Sequence, residues 1–322
     1  MSGNKCRIVF MGTPDFAVTA LEALLDAGYE VAAVVSQPDR PKGRKRMLTP
    51  PPVKAAAEKH GIPVLQPEKL RAPESVEDIR RLRPDLIVTA AYGQILPKSV
   101  LELPQFGCIN VHASLLPKYR GGAPIHYAVI NGESKTGVTI MYMAEGLDTG
   151  DMISKIEVPI TSEDTTGTLH DKLSAAGAEL LIETVPKLLA GTASREPQDD
   201  ALASYAPNIT REDERIDWSK SAAAIHNQVR GLNPWPVAFT TLDGQVWKIW
   251  RTEVVRTDAA PDVHRPAGAV VSAEDGRIVV QTGTGHLALL DIQPQGKRPM
   301  PTSEWLKGGK LAAGTVLGGS AS

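Results

Sequence analysis

The sequence predicts an α/β domain built on a mostly parallel sheet, followed by a small β-barrel. Three observations carry that prediction. Residues 1–190 alternate short, wholly apolar runs with helical periodicity. Residues 208–322 hold short strand-like runs at close spacing, with turn residues between them. A polar stretch with Gly and Pro, "GTASREPQDDALASYAPNIT", lies between the two and reads as a linker over residues 191–207.

The elements follow in order. "CRIVFMG" (6–12) is an apolar run ending in Gly. "TPDFAVTALEALLDAG" (13–28) reads as a helix with Phe16, Ala20, Leu21, Leu24 and Leu25 on one face. Thr13 is placed to cap it, Pro14 suits the first turn, and Gly28 ends it. Strand-like runs recur at 29–36, 62–65, 85–91, 107–112 and 137–143. Runs that are apolar at nearly every position suit strands buried on both faces, as in parallel sheets. In such sheets, sites form beyond the carboxyl ends of the strands. Leu169, Leu173, Ala176, Leu180 and Leu188 mark a long helix over 166–189. After the linker, a short helix near 221–230 precedes "VAFTTL", "VWKIWRTEVV", "GAVVSA", "GRIVVQTG" and "GHLALLDIQ", the pattern of a small barrel.

Composition narrows the function classes. The chain has 322 residues, 42% hydrophobic and 22% charged, enough for a sizeable core, and its net charge of -2 gives no global attraction to nucleic acid. Cys6 and Cys108 are too few for a disulfide framework, and no Cys/His spacing suggests zinc. No apolar stretch approaches the ~20 residues that cross a bilayer, and no signal-peptide pattern is read, so a reduced cytoplasmic protein is expected. "GTPDF" (12–16) lacks the GxGxxG spacing, so no dinucleotide is predicted.

The chemistry-bearing stretch is "NVHASLLPKYRGGAP" (110–124). Residues i and i+2 of a strand point to one side, so Asn110 and His112 project together and Val111 points away. Asn brings amide donors, and His, with an unperturbed pKa of ~6.5, carries or releases a proton near neutrality. The pair suits acyl transfer, in which an oxyanion is held and protons are moved. Asp148, in the loop after the 137–143 strand, is expected at the same sheet edge, orienting His112. The same spacing also fits a structural histidine, a turn-forming Asn110 and a capping Asp148. Trp235, between two prolines, reads as a packing anchor.

"QPDRPKGRKRMLTPPP" (37–52) carries Arg40, Lys42, Arg44, Lys45 and Arg46. Its Gly and Pro content argues against a helix or a strand. Such a loop is either solvated surface or a contact for polyanion, where cations on phosphates make binding salt-dependent.

These residues carry a resemblance. "NVHASLLPKYRGGAPIHYAVINGESKTGVTIMYMAEGLDTGDMI" resembles the signature of formyltransferases that use 10-formyltetrahydrofolate. "FMGTPDFAV", "SQPDRPKGRKR", "AAYGQILP", "RIDWSKSAAAIHNQVRGLNPWPVAF" and "LKGGKLAAGTVLG" are similar to the methionyl-tRNA formyltransferase family, in order along nearly the whole chain. The resemblance implies a Rossmann-like catalytic domain (1–190) and an OB-like barrel that helps hold tRNA (208–322). It implies formyl transfer from 10-formyltetrahydrofolate, with no metal, to the α-amino group of methionyl initiator tRNA, by a monomer. It implies a catalytic set of Asn110, His112 and Asp148. Ser114, Leu115, Leu116 and Pro117 would contact the folate, beside the 91–97 segment. Arg40, Lys42, Arg44, Lys45 and Arg46 would contact tRNA. The rivals are a formyltransferase of another amine, a formyl-folate hydrolase and a non-catalytic tRNA-binding protein.

Overall fold

The computed structural model describes residues 6–43, 47–255 and 265–319. Arg44, Lys45, Arg46 and Arg256 therefore lie outside the described residues. In chain order the elements are β1 (Arg7–Gly12), α1 (Asp15–Asp26), β2 (Glu30–Val35), β3 (Arg40–Lys42), β4 (Met47–Thr49), α2 (Pro52–Lys59), β5 (Val64–Leu65), α3 (Pro73–Arg81), β6 (Leu86–Ala90), α4 (Lys98–Leu101), β7 (Cys108–His112), α5 (Pro124–Ile130), β8 (Lys135–Tyr142), β9 (Met152–Pro159) and α6 (Thr166–Leu189). A 3₁₀ turn (Asp200–Leu202) precedes α7 (Ala222–Gly231), β10 (Phe239–Leu242), β11 (Gln245–Val255), β12 (Val270–Glu274), β13 (Arg277–Gln281), β14 (His286–Pro294), β15 (Met300–Pro301) and α8 (Thr302–Trp305). They form two compact units: residues 1–124, 135–159 and 170–206, and residues 125–134, 160–169 and 207–322.

The first unit is built on a seven-stranded sheet in the order β5-β2-β1-β6-β7-β8-β9. The first five strands of that order are parallel. β8 runs antiparallel to both β7 and β9. Ile8, Val9, Phe10 and Met11 of β1 are all buried, as a strand covered on both faces requires. α1 buries Phe16, Ala17, Ala20, Leu21 and Leu24, and Gly28 follows it at φ +80°. Each such fully buried large aliphatic side chain stabilises the fold by roughly 1.5–3 kcal/mol.

β1 lies between β2 and β6, so the strand order reverses beside it, the position at which α/β sheets place their sites. Thr13 is occupied there and does not cap α1. Its hydroxyl donates to the Tyr92 carbonyl at 2.9 Å and accepts from the Gln37 N–H at 3.3 Å, while Pro14 takes the N-cap position without a side-chain cap. The sheet order brings two loops to Thr13 that a local reading of residues 13–28 does not contain.

The basic segment also departs from expectation. Arg40–Lys42 and Met47–Thr49 pair as an antiparallel ribbon rather than an irregular loop. A two-stranded ribbon has only edges, and an edge tolerates Pro41. Its base is tied down by Lys54, whose Nζ donates to Asp39 at 2.9 Å and to Gln66 at 2.8 Å.

The second unit holds an antiparallel sheet, β10-β11-β14-β13-β12, with β15 added to β14. One core cluster joins Trp218, Ile225, Val229, Trp247, Ile249 and Leu287 among others. Ser221 caps α7 by accepting the Ala224 N–H at 3.2 Å. Trp247 is buried, while Trp250 is half-buried and donates from Nε1 to Gln293 at 3.0 Å. Trp235 is not the packing anchor expected: it is 67% exposed and meets His126 edge-on, with centroids 5.8 Å apart. Leu232 and Val237 on either side enter the core instead, so the turn between them carries Trp235 outward.

Candidate active site

β7 ends the parallel part of the sheet and carries the site. Val111 is buried on the face where α6 comes close: a Cβ on Gly177 would lie 3.0 Å from Val111 and 3.4 Å from Val138. Strand alternation therefore turns Asn110 and His112 to the other face.

His112 is 5% exposed, and its Nε2 lies 3.0 Å from the Tyr119 carbonyl. A carbonyl only accepts, so Nε2 carries a proton and Nδ1 is the nitrogen left for chemistry. Nδ1 sits 3.7 Å from Asp148 Oδ2, which itself accepts the Gly121 N–H at 2.8 Å. The ring is thus oriented by Tyr119 and not, as expected, by Asp148. At 3.7 Å the carboxylate lies beyond hydrogen-bond distance of the ring nitrogen.

The route by which Asp148 reaches His112 also differs from expectation. β8 is antiparallel, so its last residue, Tyr142, pairs with Ile109 and not with His112. The loop after β8 leaves towards the start of β7, then folds back over the sheet face to bring Asp148 to the ring. Tyr119 (φ +61°), Gly121 (φ +120°) and Asp148 (φ +52°) all adopt left-handed backbone, a cluster of the kind found at functional sites.

Thr89 of β6 is the partner that sequence reasoning missed for Asn110. Its buried hydroxyl lies 2.8 Å from Asn110 Oδ1 and 3.0 Å from the Ile109 carbonyl, and its single proton serves one of the two. This contact holds the Asn110 side chain at the end of β7. Thr89 reads simply as part of an apolar run, and only the pairing of Thr89 with Asn110 across β6 and β7 reveals it.

The segment after β7 is held tightly. Thr139 donates to the Ser114 carbonyl at 2.7 Å and accepts the Leu116 N–H at 3.1 Å. Ser114 is fully buried and donates to the Lys118 carbonyl at 2.6 Å. Leu116 packs with Met141 and Met152. Leu115 and Pro117 are half-buried, Leu115 over Gly137.

Residues read as a linker are hydrogen-bonded into this unit and are a second feature that sequence reasoning missed. Arg120 exchanges main-chain bonds with Ser204 and Ala206 at 2.8 and 2.7 Å, and Ser204 Oγ accepts the Tyr119 N–H at 2.9 Å. The Arg120 guanidinium is 2% exposed and donates to Gln198 at 3.0 Å and Asp200 at 2.8 Å. Burial alone would depress its pKa, but Asp200 and Tyr205 more than offset that and raise it. Of the basic residues, Arg40 is exposed and 3.5 Å from Glu68. Arg40 is not among the residues built around His112.

Comparison with known proteins places this geometry. Residues 6–185 match the formyl transferase family model, and residues 208–310 match the formyl transferase C-terminal domain. Methionyl-tRNA formyltransferase of Bacillus velezensis is 59% identical over 97% of this chain and 98% of its own length. That of Geobacillus thermodenitrificans is 60% identical over the same shares. The chain belongs to the methionyl-tRNA formyltransferase family.

Solved structures share the formyltransferase fold at much lower identity. The Helicobacter canadensis N-formyltransferase, solved with folinic acid and dTDP-3-aminofucose, superposes at TM-score 0.65 and 19% identity, over 89% of this chain and 98% of that one. HypX from Aquifex aeolicus, solved with tetrahydrofolic acid, superposes at 0.62 and 16%, over 94% of this chain and 47% of that one.

Proposed function

We propose that the chain transfers the formyl group of 10-formyltetrahydrofolate to the α-amino group of methionyl initiator tRNA, giving N-formylmethionyl-tRNA and tetrahydrofolate. The observation that carries this reading is 59% identity to methionyl-tRNA formyltransferases along 97% of the chain, with His112 and Asp148 converging on the Asn110 face of β7.

The neutral amine attacks the formyl carbon, a C–N bond forms, and the carbonyl oxygen becomes an oxyanion. Asn110 donates to it from its amide nitrogen, and His112 donates from Nδ1 when the ring is protonated. Asp148 stabilises that imidazolium across 3.7 Å. The amine nitrogen gives up a proton to solvent, the bond to folate N10 breaks as N10 takes up a proton, and the oxyanion returns to a carbonyl. One oxyanion donor is worth ~10²–10³ in rate. A positioned acid or base is worth ~10²–10⁴.

The Ser114–Pro117 segment lines the folate site, the half-buried Leu115 and Pro117 offering surface to it and the buried Ser114 and Leu116 holding the segment in shape. Arg40, Lys42, Arg44, Lys45 and Arg46 contact the acceptor end of the tRNA, and the second unit contributes further cations such as Lys248 and Arg298. A single-stranded RNA end is the target that proteins read best. The enzyme works in the cytoplasm as a monomer. Among the described residues no helix is long and apolar enough to cross a membrane.

The test is formyl incorporation into methionyl initiator tRNA from 10-formyltetrahydrofolate, by wild type, His112→Ala and Asp148→Asn. Wild-type formylation that collapses in both variants supports the reaction and the site. Binding of tRNA without formylation supports a non-catalytic binder. Folate turnover without tRNA supports a hydrolase. Near-normal turnover in either variant removes that residue from the mechanism.

A further inference from the structure

The loop that delivers Asp148 has no regular secondary structure, and Asp148 itself sits at φ +52°, a region costly for a residue with a side chain. Something must hold that conformation. Glu196 pairs with Met152 through two main-chain bonds, at 2.8 and 2.9 Å, so the chain two residues on runs alongside Gly150. There Gln198 donates from Nε2 to the Asp148 carbonyl at 2.7 Å and to the Gly150 carbonyl at 2.8 Å. Its Oε1 accepts from Arg120 Nε at 3.0 Å.

The orientation of this amide is unambiguous. Guanidinium only donates and carbonyls only accept, so one end of Gln198 must face Arg120 and the other must face the loop. Arg120 is buried between Gln198 and Asp200 and cannot swing away without leaving a buried charge unpaired. Arg120 also lies on the loop that starts at His112, one residue after the carbonyl that orients the imidazole and one before the N–H that binds the Asp148 carboxylate. Gln198 therefore joins the loop carrying the histidine's orienting groups to the loop carrying the carboxylate.

We infer that Gln198, seated by Arg120, is a positioning residue that sets the distance between Asp148 and His112 and thereby governs the chemical step. This rests on the reading of Asp148 as part of the catalytic set. Gln198 touches no reacting atom, so its loss is expected to act through the placement of Asp148 against His112. Outer partners of this kind, where measured around metal ligands, are typically worth 10–100-fold.

The experiment is a double-mutant cycle in single-turnover formylation, with Gln198→Ala, Asp148→Asn and the double variant, and with KM for formyl-folate and for methionyl-tRNA measured in each. Gln198→Ala is expected to lower the rate ~10–100-fold with both KM values within about threefold, and to cost less than about threefold once Asp148 is Asn. Gln198→Glu is the companion variant should Gln198→Ala fail to fold. It keeps the volume and the Arg120 bond but sets a carboxylate against two carbonyls, and the same loss is expected. An equal loss in both Asp148 backgrounds, a loss confined to KM, or full activity of the folded Gln198 variant overturns the inference. Full activity of Asp148→Asn alone overturns the prior reading of the carboxylate, and is seen independently of any change at Gln198.

Discussion

His112 donates from Nε2 to the main-chain carbonyl of Tyr119 at 3.0 Å, which leaves Nδ1 on the side of Asp148, 3.7 Å away. An asparagine side chain puts a polar atom near the position of Nδ1, whereas a glutamine reaches the position of Nε2. His112→Asn is therefore expected to keep more activity than His112→Gln, with both at least ~10²-fold below wild type. Steady-state formylation checks the order. The reverse order would show that Nε2 is the working nitrogen.

Gly121 has φ +120°, and a Cβ there would meet the Ala206 carbonyl at 2.6 Å. Its N–H also binds Asp148. Gly121→Ala is expected to lose upward of ~1 kcal/mol of stability and to lower kcat together with it. Urea unfolding and formylation on one preparation measure both. An unchanged urea midpoint would show that the 204–206 segment gives way at no cost.

Burial pushes the Cys108 thiol up to about 12, and burial with the nearby Asp85 charge pushes Cys6 up to about 11. Raised values keep the neutral thiol, so the thiolate that reacts is under ~1% of either group at pH 8. Both cysteines are expected to resist iodoacetamide in the folded protein at pH 8 and to react in urea. Mass spectrometry reads the result, and rapid alkylation of the native protein would show that β1 or β7 opens readily.

Arg40 stands exposed on the β3–β4 ribbon, with its only ion pair among the described residues at 3.5 Å. If it neutralises one tRNA phosphate, Arg40→Ala reduces the slope of log K against log salt by ~0.7–0.9. Formylation at saturating tRNA stays near wild type. A slope unchanged between 50 and 200 mM salt, taken as the roughly physiological range, would remove Arg40 from the interface.

Trp235 is 67% exposed, so Trp235→Ala is expected to shift the urea midpoint little, by less than ~1 kcal/mol. A large loss would return it to the core role that its flanking prolines suggest.

The strands and the long helix were legible because their signals are local: β1 is apolar at almost every position, and α6 repeats Leu at helical spacing over Thr166–Leu189. The pairing of Asn110 with His112 was legible too, since strand alternation alone puts i and i+2 on one side. The resemblance of residues 110–153 to formyltransferases supplied Asp148, which spacing alone left open. Tertiary structure decided the rest. Which nitrogen of His112 works depends on a carbonyl seven residues away, and that depends on the backbone of Tyr119 at φ +61°. Thr89, Arg120 and Gln198 had no sequence signature, because each acts through a partner 21 to 78 residues distant. Periodicity reports which face of an element is buried. It carries no information on which polar groups the folded chain brings within 3 Å of one another, and the site is made of those distances.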